Sequence, residues 1–294
     1  MELSYNEWLP AAVGLRDVVT AYWRVVGNGS QAPPSAVLPD GHVELVCNFG
    51  DPVELDGPAF RGLQPDRVVV GPLARAIRLS YTGAVDTFGI RFHPARGAAF
   101  FGIAAAALVN QLVIPAQVSS QLDSGLRRLF GAGWNPEREN CRTALDGVML
   151  DQLARSLPPD FPVVAMVDRL TSSEHAPRVK DIARELGLSQ RQAQRRFVAS
   201  VGMPPKQFAR VIRFSRLWQT ASMSPPETWA ALAAGHGYAD QAHMVRDFRA
   251  FGVEPPTRFF SPEWYGSTEL SRLSGPAQGA RRAQRVRSVQ DRVR

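Results

Sequence analysis

The spacing of apolar positions divides the chain into two regimes. Between residues 15 and 93 it follows the strand period. Val43, Leu45, Cys47 and Phe49 alternate with His42, Glu44, Val46 and Asn48, directly after the turn signal Pro39-Asp40-Gly41. Residues 18–26, 68–70, 76–81 and 85–92 are further strand candidates, punctuated by Gly71-Pro72 and Thr82-Gly83. Short strands between turns predict a small barrel or sandwich. The spacing then becomes helical, and residues 95–109, 121–130, 137–157 and 161–171 read as helices.

A more specific pattern follows, and it occurs twice. Residues 179–205 read VKDIARELGLSQRQAQRRFVASVGMPP, and residues 229–256 read WAALAAGHGYADQAHMVRDFRAFGVEPP. Up to the turn glycine the copies match at an offset of 50, as in Ile182/Leu232, Ala183/Ala233 and Gly187/Gly237. After one extra residue they match at 51, as in Arg195/Arg246, Phe197/Phe248 and Pro205/Pro256. A short helix, a glycine turn and a second helix, repeated, is the layout of two helix-turn-helix units.

In the first copy Ile182, Ala183 and Leu186 share an apolar face, and Gly187 supplies the turn. Ser189 suits an N-cap, and Ala193 and Phe197, four apart, face the core. That leaves Gln190, Arg191, Gln192, Gln194, Arg195 and Arg196, a face without an acid. Arginine can fork onto guanine O6/N7, and glutamine onto adenine N6/N7. In the second copy Met244 and Phe248 take the buried face, leaving Gln241, His243 and Arg246 outward. Two of these have a second reading: Arg196 as an ion pair within its own domain, and His243 as a packing or capping residue. Residues 205–222 form one connecting helix. Its face of Phe208, Val211, Ile212, Phe214, Leu217 and Trp218 is too wide for a solvated helix and is expected between the two units.

Residues 179–259 resemble the DNA-binding domain of the AraC/XylS family of bacterial transcription regulators. The two glycine turns, the endings Arg195-Arg196-Phe197 and Arg246-Asp247-Phe248, and the Pro-Pro after each copy carry the resemblance. It implies base contacts from Arg191, Gln194 and Arg195 in the first recognition helix, and from Gln241, Ala242 and Arg246 in the second. Lys206, Arg249 and helix N-termini are expected on phosphates. The chain departs from the family at Gly252, one residue before the usual glycine position, where Val253 stands. The first half resembles an uncharacterised domain found ahead of some AraC-type domains, through Tyr22-Trp23, residues 38–45, Val70-Gly71-Pro72 and residues 89–94. That resemblance implies a degenerate cupin-like barrel followed by helices, and no known ligand. The expected fold is α+β: residues 1–160 a sensing or dimerisation domain, 161–265 an all-α double helix-turn-helix domain, and 266–294 a disordered Arg-rich tail.

Charge and composition support this division. The chain has 294 residues, enough for two cores, and a net charge of +7. Residues 1–170 carry −3, residues 171–265 carry +5 and residues 266–294 carry +5. Positive charge therefore gathers where phosphate contact is expected. Arginine-rich usage (Lys180 and Lys206 are the only lysines) does not explain that asymmetry. Cys47 and Cys141 form no CxxC and are too few for a cysteine zinc site, which fits a reducing cytosol. The start Met1-Glu2-Leu3-Ser4 lacks a signal-peptide pattern, and the longest apolar run, residues 98–109, is too short to span a bilayer. A soluble cytoplasmic protein is expected.

His42, Glu44 and His93 are the only tempting metal ligands. A working cupin site usually shows His-x-His, and Glu44 stands where its second histidine would be. No metal, cofactor or catalytic residue is expected; the alternative is a cupin-type metalloenzyme fused to a DNA-binding domain. The expected partners are double-stranded DNA, a small-molecule effector, a second copy of the chain, and RNA polymerase if the protein activates; residues 137–157 are the candidate pairing helix, and its other reading is packing against its own barrel. No membrane partner is expected.

Overall fold

The computed structural model describes residues 3–29, 35–131, 134–173, 177–223 and 226–260. The strand candidates become β2 (Val19–Asn28), β4 (Val43–Asn48), β7 (Arg67–Val70), β8 (Ile77–Tyr81) and β9 (Ala84–Phe92). Strands that the pattern did not signal join them: β1 (Ser4–Trp8), β3 (Ser35–Val37), β5 (Val53–Asp56), β6 (Arg61–Leu63) and β10 (Leu112–Val113). They are short, and β1 and β6 lack buried residues, so no apolar alternation marks them.

The strands form a six-stranded antiparallel sheet ordered β1-β2-β9-β4-β7-β10 and a four-stranded one ordered β3-β8-β5-β6. The α+β arrangement is the expected one, but the sheets do not close into a barrel: β1 and β10 stand at opposite edges of the larger sheet. Strand periodicity sorts its two faces. Val43, Leu45 and Cys47 of β4 join Tyr22, Phe88 and Ile90 in a core covered by helices. Glu44 and Val46, one residue out of phase, line a cavity together with Val53 and Leu55 of β5 and Ile77 and Leu79 of β8.

The covering helices are α1 (Gly97–Phe101), α2 (Ala105–Leu108), α3 (Pro115–Val118), α4 (Ser120–Leu129) and α5 (Glu139–Leu153). The single helix expected over 95–109 is thus two pieces, divided at Gly102, the left-handed C-cap of α1. On α5, Leu145 and Met149 are fully buried in the core behind β4, with Val148 and Leu153 packed against it. The face offered by sequence for pairing with a second copy is therefore used within the chain. Buried Asp146 of α5 accepts the Tyr22 hydroxyl at 2.7 Å and the Ala12 amide at 2.6 Å, tying the first strands to this helix.

The remaining helices are α6 (Phe161–Ser172), α7 (Val179–Glu185), α8 (Gln190–Val201), α9 (Pro205–Met223), α10 (Trp229–Gly235), α11 (Gln241–Ala250) and α12 (Pro256–Phe259). The six α9 residues expected inside are all buried. Phe208 meets Phe197 of α8 edge-on at 5.4 Å, and Phe214 meets Phe248 of α11 at 5.0 Å. One long helix thus forms the shared core of both units. Among the described residues no helix is long and apolar enough to cross a membrane. The Arg-rich tail lies outside the described residues.

Candidate nucleic-acid interface

Each copy of the repeated motif folds as a helix, a turn and a helix. Gly187 and Gly237 close the turns with φ of +69° and +72°, a region that side chains with a Cβ rarely enter. After them, Leu188 and Tyr238 donate their amides to the carbonyls of Ala183 and Ala233, so the turns share a backbone pattern. The extra residue of the second turn is Ala239, and Asp240 takes the N-cap place that Ser189 holds in the first. Ser189 makes a full capping box with Gln192, whose side-chain oxygen accepts the Ser189 amide at 2.9 Å. That bond engages Gln192 at the cap. The displaced glycine also has its effect: α11 ends at Ala250 with Gly252 at φ +78°, two residues shorter than α8, which runs to Val201.

The predicted outward and inward positions separate as expected. Ala193, Phe197, Met244 and Phe248 are buried. Arg191, Gln194 and Arg195 on α8 are exposed, as are Gln241, Ala242, Arg246 and Arg249 on α11 and Lys206 at the start of α9. An open depression on α11 is lined by Gln241, Ala242, Val245, Arg246 and Arg249, which brings the expected readers of the second unit into one surface.

The cations of this region fall into two groups. Arg196 forks onto Asp160 with both bonds at 2.7 Å, and those bonds hold its guanidinium still more firmly protonated. Asp160 also caps α6 through the Val163 amide, so Arg196 locks α8 to α6. Arg210 and Arg213 of α9 both donate to the buried carboxylate of Asp247 on α11. Arg213 also lies over the Tyr238 ring at 4.2 Å, and Arg216 donates to the carbonyls of Leu170 and Ser173. Among the described residues Arg191, Arg195, Arg246, Arg249 and Lys206 make no ion pair. His243 belongs with the structural group: its ring meets Tyr238 edge-on at 5.2 Å, and its amide is capped by Asp240.

Asp160 and Asp247 are the residues that sequence reading missed. Each is an isolated acid near an arginine-rich helix, and only the fold shows which arginine it takes.

Residues 182–261 match the family model described as a helix-turn-helix domain. Residues 7–114 match a domain of unknown function. No curated protein matches the chain. Among solved structures, the chain is similar to ToxT from Vibrio cholerae. One such structure, at 1.65 Å resolution, shows 11% identity and a TM-score of 0.46, covering 88% of this chain and 98% of that one. Another, an unsaturated fatty acid-bound wild-type ToxT, shows 10% identity and a TM-score of 0.47, covering 81% of this chain and 94% of that one.

The three residues considered as metal ligands have other engagements. His42 Nδ1 lies 2.8 Å from the Phe92 carbonyl oxygen, and burial pushes this imidazole down to about 3, so it is neutral. Glu44 pairs with Arg91 at 2.7 Å. His93 Nε2 lies 3.1 Å from Asp168, and its Nδ1 accepts the Ala95 amide.

The helix-turn-helix domain is also braced by the strand-rich half. Ala76 donates its amide to the Phe251 carbonyl at the end of α11, at 2.7 Å. Gly202, the C-cap of α8, sits so close to α2 that a Cβ there would lie 2.6 Å from the Ala105 carbonyl oxygen. Both recognition helices therefore rest on the first half of the chain at their C-terminal ends.

Proposed function

We propose that the protein is a sequence-specific transcription regulator that reads two neighbouring stretches of double-stranded DNA major groove with α8 and α11. The observation that carries this reading is the division of cations. Arg196 of α8 is consumed by Asp160, and Arg210 and Arg213 of the connecting helix α9 are consumed by Asp247 of α11. The outward arginines of α8 and α11 are exposed on surfaces shared with glutamines. An unneutralised basic face on a helix-turn-helix unit is the chemistry that base edges and phosphates require. Arg191, Gln194 and Arg195 then serve the first half-site. Gln241, Ala242 and Arg246 serve the second, and Lys206 and Arg249 contact phosphates.

The proposed organisation is a sensing half over 1–160, the DNA-binding domain over 161–265, and a tail over 266–294. Packing of α6 into the core of α7, α8 and α9 supports the boundary at 161. Contacts of Ala76 and α2 with the recognition helices support modulation of DNA binding by a ligand or partner of the first half.

The test is a selection of genomic fragments by the purified protein at physiological salt. The expected result is an enriched motif of two boxes centred about 10 base pairs apart. Arg195→Ala and Arg246→Ala should each relax one box and cost about 1–3 kcal/mol there. Retention of DNA without a motif, or unchanged base preference in both variants, rejects the assignment.

A further inference from the structure

The cavity between the two sheets has a volume of about 120 Å³. Apolar cavities of roughly 150 Å³ accept benzene-sized molecules, so the occupant is small. Most of the wall is aliphatic, with Val25, Leu38, Val46, Leu55, Ile77 and Leu79 among its residues. Its polar members define the ligand. Arg91 is buried, but its charge is met by Glu44 at 2.7 Å. Asp40 is the second acid of the wall; burial pushes its carboxyl up towards the neutral form. The lining therefore has no uncompensated cation for an anionic ligand, and no exposed carboxylate poised for a cationic one.

Two donors stand apart. The indole Nε1 of Trp23 and the amide Nε2 of Gln64 are buried and lack a hydrogen-bond partner among the described residues. Both side chains belong to the cavity wall. Trp23 is held there by Gly89, its cross-strand partner: a Cβ at Gly89 would fall 2.0 Å from the indole. Tyr5 stacks on the same indole, with ring centroids 6.3 Å apart. Buried donors without partners are costly unless something accepts from them.

We infer that this cavity binds a small, uncharged, largely apolar molecule carrying a hydrogen-bond acceptor oxygen, such as a cyclic ketone, held by Trp23 and Gln64. The inference rests on the regulator reading and specifies its effector. The wall also reaches the DNA-binding domain. Ala76, which holds the end of α11, precedes Ile77, and Leu38 joins the core that contains Phe208 of α9. A ligand that prefers one position of β3 and β8 thereby shifts the recognition helices, by no more than its difference in affinity for the two states.

The test is a ligand-detected NMR titration of the full chain, without DNA, at pH 7. Cyclohexanone is compared with cyclohexanecarboxylate, cyclohexylamine and methylcyclohexane. Cyclohexanone should bind tightest. Val46→Phe, which fills the cavity, should abolish binding while a thermal unfolding transition is retained. Gln64→Met removes one donor with little change of volume, and Trp23→Phe removes the other while shortening the side chain by one ring; each should weaken binding roughly 3- to 10-fold. The proposal is overturned if cyclohexanone does not bind, if a charged analogue or the hydrocarbon binds as tightly, or if the two donor variants bind like the parent. DNA selection on the same proteins separates the two levels. An enriched motif without cyclohexanone binding removes the cavity proposal alone; absence of a motif both without and with cyclohexanone removes the regulator reading whatever the titration shows.

Discussion

Asp247 offers the sharpest test of how the second recognition helix is held. Its side chain is 2% exposed, and the carboxylate accepts from Arg210 at 2.6 and 3.2 Å and from Arg213 at 3.1 Å. The two arginines differ: the side chain of Arg210 is 45% exposed, that of Arg213 only 19%. In Asp247→Ala the Arg210 guanidinium regains water. Arg213 cannot do so fully, because it is wedged over Tyr238 and its Nε already lacks a partner among the described residues. Breaking a fully buried pair costs about 3–5 kcal/mol, and partial resolvation of one cation lowers the expectation to about 2–4 kcal/mol. Asp247→Asn keeps the shape and an acceptor oxygen, so it should lose about 1–2 kcal/mol. The assay is urea unfolding followed by far-ultraviolet circular dichroism, with stability from linear extrapolation. A double-mutant cycle adds the decisive comparison. Coupling of Asp247 to Arg213 should exceed about 1 kcal/mol, and coupling to the exposed Arg210 should be smaller. A loss below about 1 kcal/mol for Asp247→Ala, or the larger coupling at Arg210, would refute the argument from burial.

Other consequences are as direct. Arg196→Ala should lower stability by about 1–2 kcal/mol through loss of the charge-assisted fork on Asp160, yet leave base preference unchanged in the DNA selection; a changed motif would make Arg196 a reader. Gly202→Ala combines φ of +86° with a Cβ 2.6 Å from the Ala105 oxygen, and should destabilise by about 1–3 kcal/mol in thermal unfolding; an unchanged Tm would show that α8 is not seated on α2. His42 is neutral in the folded chain down to about pH 3, whereas the unfolded chain protonates it near the ordinary imidazole value of 6.5. Its stability contribution is therefore full above pH 6.5 and is lost as the pH falls from 6.5 towards 3. His42→Asn should remove about 1.4 kcal/mol per pH unit from the slope of stability across pH 4–6; identical slopes would refute that burial.

The repeated helix-turn-helix was legible in the sequence because its determinants are local. A glycine turn, a serine cap and residues four apart on one helix are set by backbone geometry within a dozen residues. The inward and outward faces of α8, α9 and α11 followed from the same spacing, and so did the main strands. Partnerships across sequence distance did not follow. No local rule says that Arg196 takes Asp160, 36 positions away, while its neighbour Arg195 takes no acid among the described residues. The same holds for the α5 face: its apolar stripe suits a second copy as well as the chain's own sheet, and the fold shows it used on the sheet. Tertiary structure likewise decided that the strands form two open sheets with a cavity between them, because closure depends on which edges meet. Sequence by itself determined the elements and the faces they present, since those are governed by short-range sterics and periodicity. The pairing of charges, the use of apolar faces and the donors left unmatched in the cavity were settled by the fold, since each depends on groups brought together from distant parts of the chain.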